Sequence, residues 1–157
     1  MHLYPVMMLP KHLYIKFLTT ILLLLIAFAG VAISWDLQRL NTDFDKLYLL
    51  LRTARWDAFY KDTTIIVRFN GNTVTVTNQK DPKNMTTTIP MIARVDYNTT
   101  MGNDMIVFTW RGTAAHNKRV HGGEIMLKSL LGFRKYIHVN CNGLVTEGRY
   151  PEDVKLP

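Results

Sequence analysis

The chain has 157 residues, a single cysteine and a formal net charge of +7, which fits one ordinary domain plus an extra segment. Because Cys141 is the single cysteine, the chain can form neither an internal disulfide framework nor a cysteine-based metal cluster. The basic charge is spread along the chain without a run of five like charges, so it does not indicate a nucleic-acid-binding tail.

An uncharged apolar run follows a short N-terminal segment. Residues 1–16 contain Lys11 and Lys16 and are predicted to be a leader-like segment on the cytoplasmic side. The run 17–35 is 19 residues long, close to the roughly 20 that a helix needs to cross a bilayer. We therefore predict a single-pass membrane helix with the body on the side opposite the N-terminus. In a two-membrane bacterium this would be an inner-membrane anchor with a periplasmic body. Representative residues of the helix are Phe17, Leu22, Leu25, Phe28 and Trp35.

A cleaved secretory signal is the alternative interpretation of the same run. The segment 27–29 (AFA) is typical of a cleavage site, and cleavage after Ala29 would release a soluble protein. However, apolar character continues to Trp35, and a helical pattern begins directly after it. The uncleaved anchor is therefore favoured.

A heptad-like pattern occupies residues 36–60. Its apolar positions are spaced alternately by three and four: Leu37, Leu40, Phe44, Leu47, Leu51, Ala54 and Ala58. No Pro or Gly interrupts residues 31–60, so the helix is predicted to continue out of the membrane. The opposite face is predicted to carry Asp36, Arg39, Asp43, Lys46, Arg52, Arg55 and Asp57.

Two roles remain open for this apolar stripe. Three heptads are marginal for a coiled coil, so packing against the chain's own sheet is favoured over contact with another subunit's helix. We expect Leu37, Leu40, Phe44 and Leu47 to lie exposed near the membrane and to need a partner, with Leu51 as the next packing position.

From residue 62 the apolar period changes to two, which predicts strands. We expect about seven short antiparallel strands between residues 63 and 148, with hairpin turns at Asn70-Gly71 and Asn142-Gly143. Residues 78–84 and 111–122 are predicted loops, and 151–157 a tail. The body 61–150 then forms a meander with one sheet face for the helix to cover, an α+β fold.

Several segments carry a family resemblance. Residues 51–58 (LRTARWDA) are similar to a helix motif of the L-x-x-A-R-x-E-A type, and 64–77 to a first hairpin. Residues 106–112 resemble a strand and turn of the I-x-F-x-x-x-G type. Residues 136–148 resemble a closing hairpin with a G-R-V-x-x-G pattern, in which Leu144 takes the place of Arg. Together they resemble the type IV pilins and pseudopilins, most closely the H-type minor pseudopilins of type II secretion (the general secretion pathway protein H family).

The resemblance implies a structural, non-enzymatic subunit that acts by helix packing and by contacts of its head surface. It implies other pilin-like subunits, an inner-membrane assembly platform and membrane lipid as partners, and no cofactor or small-molecule substrate. The processing site would lie between Lys16 and Phe17.

Two positions depart from the family pattern. Lys16 stands where the family has Gly before the cleaved bond, and Ile21 stands at the fifth mature position, where it has Glu. A subunit at a filament tip has no neighbour above it and can dispense with that carboxylate. The other interpretation is an inner-membrane-anchored periplasmic binding module that does not polymerise.

Candidate chemistry in the body is sparse. Cys141 and His138 are predicted to point to opposite faces of a strand, so neither a nucleophile–base pair nor a secreted hydrolase is favoured. His116, His121 and His138 have only Glu124 as carboxylate support, so no metal is expected.

The densest basic positions form a candidate patch. They are Lys118, Arg119, Arg134 and Lys135. Stacking on nucleic acid would require free aromatic rings. The nearby rings of Trp110, Phe133 and Tyr136 fit the core better, so nucleic acid is not an expected partner.

Overall fold

A computed structural model describes residues 11–81, 86–98, 104–116, 119–120 and 122–148. These residues form two compact units, one ending at Trp35 and the other beginning at Asp36. One helix, α1 (Lys11–Tyr60), runs through both. The strands are β1 (Ile65–Asn70), β2 (Thr73–Asn78), β3 (Thr86–Pro90), β4 (Arg94–Asn98), β5 (Met105–Phe108), β6 (Ala114–His116), β7 (Arg119–Val120), β8 (Gly123–Lys128), β9 (Arg134–Val139) and β10 (Val145–Gly148).

The first unit is the N-terminal part of α1. Its side chains from residue 12 to residue 35 are all exposed, and no charged residue follows Lys16 before Asp36. Among the described residues this is one helix long and apolar enough to cross a membrane by length and composition. Residues 11–16, which were predicted to belong to a leader, are helical as well.

The second unit contains two antiparallel sheets instead of the expected single meander. One has the order β3-β2-β1-β5-β6-β7 and the other the order β10-β9-β8-β4. The expectation was wrong because β4 does not continue beside β3. The chain bends at residues 91–93 and carries β4 to the edge of the second sheet, where Arg94 pairs with Lys128.

The predicted loop at 111–122 is also corrected, because it contains β6 and β7. These strands extend the first sheet beyond β5 through pairs such as Phe108 with Ala114. Strands of two or three residues are too short to show an alternating pattern in sequence.

Both Asn-Gly hairpin turns are present. Asn70 pairs with Thr73, and Gly71 between them has a φ of +56°. Gly143, with a φ of +72°, turns β9 into β10. A Cβ at Gly143 would overlap the carbonyl oxygen of Gly112, so this turn needs glycine both for its dihedral angle and for close packing.

The core of the second unit lies between α1 and the two sheets, as favoured for the apolar stripe. The helix contributes Leu40, Phe44, Leu47, Leu51, Ala54 and Ala58. The first sheet contributes Val67 and Phe108, and the second contributes Ile125, Leu127 and Ile137. All five side chains are fully buried.

The expectation of an exposed stripe awaiting a partner is wrong at three of four positions. Leu40, Phe44 and Leu47 are only 2%, 5% and 0% exposed, because the chain's own sheets cover them. Leu37 remains 36% exposed, and its contact with another subunit stays a prediction. Leu51 is fully buried in the same core.

Candidate functional site

Asp43 holds the bend that joins the two sheets. Its Oδ2 accepts hydrogen bonds from the backbone N–H of Ile92 at 2.6 Å and of Ala93 at 2.7 Å. The side chain is fully buried, and its Oδ1 lies 4.0 Å from the Lys46 ammonium. Hydrogen bonds to a carboxylate are about twice as strong as neutral ones, so Asp43 fixes the path of the crossover.

Asp36 holds the turn between β8 and β9 in the same way. Its two carboxylate oxygens accept hydrogen bonds from the N–H groups of Leu130 at 3.2 Å and Leu131 at 3.0 Å. A hydrogen bond from the side chain of Ser129 lowers the pKa of Asp36 below its usual range. Partial desolvation opposes this shift, whereas the two N–H groups and the charge of Arg39 reinforce it.

These two carboxylates lie on the covered face of α1, not on the opposite face as predicted. They are seven residues apart, so they lie two helical turns and about 10 Å from each other along the axis. The prediction was wrong because it assigned both residues to the exposed face from their charge alone. Their position beside Leu40 and Leu47 indicates the covered face.

The turn that Asp36 holds carries apolar side chains. Leu130 is 78% exposed, Leu131 is 55% exposed and Phe133 is 36% exposed. The turn is well hydrogen-bonded: Ser129 Oγ accepts from the N–H of Phe133 at 3.1 Å, and Gly132 donates to the Ser129 carbonyl at 3.1 Å. These apolar side chains are therefore presented on a fixed backbone.

A row of cations borders that turn. In the second sheet Arg94 is opposite Lys128, and Lys128 is opposite Arg134, so three basic residues are cross-strand neighbours. All three side chains are exposed. Like charges directly opposite one another destabilise a sheet, so the pair of Lys128 and Arg134 favours an anionic partner.

The structure changes the composition of the predicted basic patch. Arg134 belongs to the exposed row, whereas the ammonium of its neighbour Lys135 lies 4.4 Å from the centre of the Phe44 ring, on the helix side. Lys118 and the side chain of Arg119 lie outside the described residues. Sequence reasoning missed Arg94 and Lys128, since their proximity comes from strand register.

Aromatic side chains gather at the C-terminal end of α1. Trp56 stacks on Tyr60 with ring centres 5.3 Å apart, and Phe59 lies beside them. Trp110 is 51% exposed, and the Arg111 guanidinium lies 4.6 Å from its ring centre. The expectation that Trp110 and Phe133 fit the core is therefore wrong. The buried Tyr136 is the exception.

Within the described residues, the candidate side chains for catalysis or metal binding do not form a cluster. Cys141 and His138 are both exposed, and the Cys141 thiol lies 3.9 Å from the amide oxygen of Asn142. In the part of the chain that the structure describes, no three His, Cys, Asp or Glu residues form a group that could hold a metal ion. His121 and the side chain of His116 fall outside that part.

The predicted span and processing residues all lie on the first part of α1. Phe17, Leu22, Leu25, Phe28 and Trp35 are exposed there. Lys16 and Phe17 lie inside the helix, and the hydroxyls of Thr19 and Thr20 donate to the Lys16 carbonyl at 2.9 Å. Cleavage between Lys16 and Phe17 stays a prediction and would require this turn of helix to open.

Comparison with solved structures identifies the architecture. The chain matches the type IV minor pilin FimU of Pseudomonas aeruginosa with a TM-score of 0.55 and 11% sequence identity, over 69% of this chain and 92% of that one. The fold is pilin-like. The minor pseudopilin EpsH from the type 2 secretion system of Vibrio cholerae matches with a TM-score of 0.52 and 10% identity, over 69% of this chain and 94% of that one. No protein-family profile matches the sequence, and no curated protein matches it.

Proposed function

We propose that this chain is a membrane-anchored, non-enzymatic subunit of a pilin-like assembly, of the minor pseudopilin kind that serves type II secretion or a type IV pilus-like machine. The observation that carries the proposal is one continuous helix, exposed from residue 12 to residue 35 and uncharged from residue 17 to residue 35, that then packs under a two-sheet head in a pilin-like fold. We place the anchor in the inner membrane, with the N-terminus cytoplasmic and the head periplasmic.

The mechanism is packing. An apolar helix without a covering layer requires lipid or other helices. Before assembly lipid would surround residues 17–35, and in the assembly the helices of other subunits would replace it. The stripe from Leu40 to Ala58 is already covered by the head, so neighbouring subunits would contact residues 17–35 and Leu37.

A second candidate is a binding module that shares the anchor but does not polymerise. Lys16 and Ile21 favour it, because they replace the Gly and Glu that the resemblance requires for processing and for axial register. The two candidates differ in what surrounds the span: other subunits in the first, lipid alone in the second.

Photocrosslinking in native membranes tests this difference. A photoreactive amino acid is placed at Leu22 in the span, and a matched control carries it at Thr42, which is exposed on α1 beside the head. We expect protein adducts from Leu22 that mass spectrometry identifies as pilin-like subunits. Adducts with lipid alone would contradict assembly and support the binding module.

The mature N-terminus gives an independent result. Intact mass and N-terminal sequencing of the membrane fraction are expected to find a chain that begins at or near Phe17. A chain that begins at Gly30 would mean a cleaved signal peptide and would overturn the anchor itself.

A further inference from the structure

The turn between β8 and β9 combines two properties that rarely occur together on a soluble surface. Its tip carries the exposed apolar side chains Leu130, Leu131 and Phe133. Its two ends are Lys128, the last residue of β8, and Arg134, the first of β9. Apolar side chains flanked by cations are typical of segments that lie in the interface of an anionic membrane.

The cations have a geometry suited to phosphate groups. Arg94, Lys128 and Arg134 lie on three adjacent strands, so the row extends about 10 Å at a strand spacing of about 4.8 Å. Within the described residues no carboxylate forms an ion pair with Lys128 or Arg134. Anionic headgroups would relieve the repulsion between Lys128 and Arg134.

The turn is linked through Asp36 to the end of the proposed span. Asp36 accepts hydrogen bonds from Leu130 and Leu131, and Asp36 is bonded directly to Trp35, the last residue of the proposed span. The turn is therefore held within one hydrogen bond of the residue at which the chain leaves the bilayer. This step rests on the proposed membrane anchor.

We propose that residues 130–133 form a second membrane contact, in which Leu130, Leu131 and Phe133 enter the lipid interface while Lys128 and Arg134 bind the phosphates of anionic phospholipids. The partner is the bilayer in which the chain is anchored. The contact holds the head against the membrane before assembly and must be released when the subunit leaves the bilayer.

Depth-dependent fluorescence quenching tests the contact on the full chain in vesicles. An environment-sensitive fluorophore is attached through Leu131→Cys in a Cys141→Ser background. The native Cys141 of the unsubstituted chain is the matched control, because it lies just beyond the far end of β9. This strand has six residues, or about 20 Å at 3.3 Å per residue. Leu25→Cys in the Cys141→Ser background reports insertion of the span.

The vesicles contain phosphatidylcholine, a minority of phosphatidylglycerol and a shallow spin-labelled lipid as quencher. We expect strong quenching at position 131, with a blue-shifted emission, and little quenching at Cys141. Leu130→Cys provides a second reporter if the first variant folds poorly.

The outcomes separate the contact from the anchor. Quenching at position 25 with equal, weak quenching at 131 and 141 would overturn the contact and leave the anchor intact. No quenching at position 25 would overturn both. A signal at position 131 that grows with the protein-to-lipid ratio would mean that a second copy of the chain covers the turn, and would also overturn the contact.

The cations are tested separately with Lys128→Gln/Arg134→Gln. This variant should lose the increase in quenching at position 131 that phosphatidylglycerol produces over phosphatidylcholine alone. Arg68→Gln removes an exposed cation on β1 of the other sheet and should leave that increase unchanged. An equal response in the two variants would contradict headgroup binding by Lys128 and Arg134.

Discussion

The two parts of α1 have similar apolar residues but opposite surroundings. From residue 12 to residue 35 every side chain is exposed, whereas from residue 36 to residue 60 one face is covered by the head and carries both leucines and carboxylates. A helix that is apolar all round suits lipid, and a helix with one apolar face suits a protein core. The polar groups mark the change: Asp36 is the first residue of the covered part.

The largest expected difference between the two parts concerns the stability of the head. Leu47→Ala removes a fully buried side chain and should lower the free energy of unfolding by about 2–5 kcal/mol. Leu24→Ala, in the exposed part, should leave it unchanged. Urea unfolding of the full chain in mild detergent, followed by near-ultraviolet circular dichroism, measures both. Leu49→Ala is the control within the covered part, because Leu49 is exposed.

An introduced charge should have the opposite pattern: it should impair membrane insertion when placed in the exposed part of α1 and not when placed in the covered part. Leu24→Asp should disfavour membrane insertion by about 3 kcal/mol, the cost of an acidic residue near the centre of a span. Leu49→Asp should leave insertion unchanged. Extraction of membranes at alkaline pH gives the inserted fraction of each variant, and equal extraction of the two would show that residues 17–35 are not the anchor.

The carboxylate at position 43 should matter more than its neighbours on the exposed face. Asp43→Ala leaves the N–H groups of Ile92 and Ala93 without their acceptor and should cost about 1–3 kcal/mol. Asp45→Ala, at an exposed position of the same turn, should change stability by less than about 0.5 kcal/mol. Hydrogen exchange at Ile92 and Ala93 should accelerate only in the Asp43 variant, and slow exchange there would refute this role.

The smallest effect is expected at Asp36 and should depend on pH. Because its pKa is lower in the folded chain, the ionised form stabilises the fold above the unfolded pKa of about 3.9, and this contribution is lost as the pH falls below that value. Urea midpoints of the native chain and of Asp36→Asn should therefore differ at pH 6, and the difference should shrink as the pH falls below about 3.9. A difference that does not shrink over that range would mean that Asp36 acts through packing instead.

Local sequence patterns predicted the long helix and the two hairpin turns correctly. The apolar run, the spacing from Leu40 to Ala58 and the two Asn-Gly turns indicated the helix and the hairpins, because each depends on residues close in sequence. The end of α1 at Tyr60 agrees with the change of period after it.

The features that the sequence did not reveal depend on distant residues. The division into two sheets requires β4 to pair with β8, and no local pattern specifies that partner. The same holds for the row of Arg94, Lys128 and Arg134. The partners of Asp36 and Asp43 are backbone N–H groups, which every residue but proline carries, so the sequence did not identify those partners.

The long separation between Asp36 and its partners also affects the order of folding. Leu130 and Leu131 follow Asp36 by 94 and 95 residues, and the hydroxyl of Tyr48 donates to the carbonyl of Val145, 97 residues later. Contacts at such separations slow folding because a large loop must close first. The helix is synthesised before every strand that covers it, so Asp36 and Tyr48 cannot make these contacts until β8, β9 and β10 have been made. During that interval the leucines from Leu40 to Leu51 lack part of their native cover, and exposed apolar side chains of this kind favour aggregation.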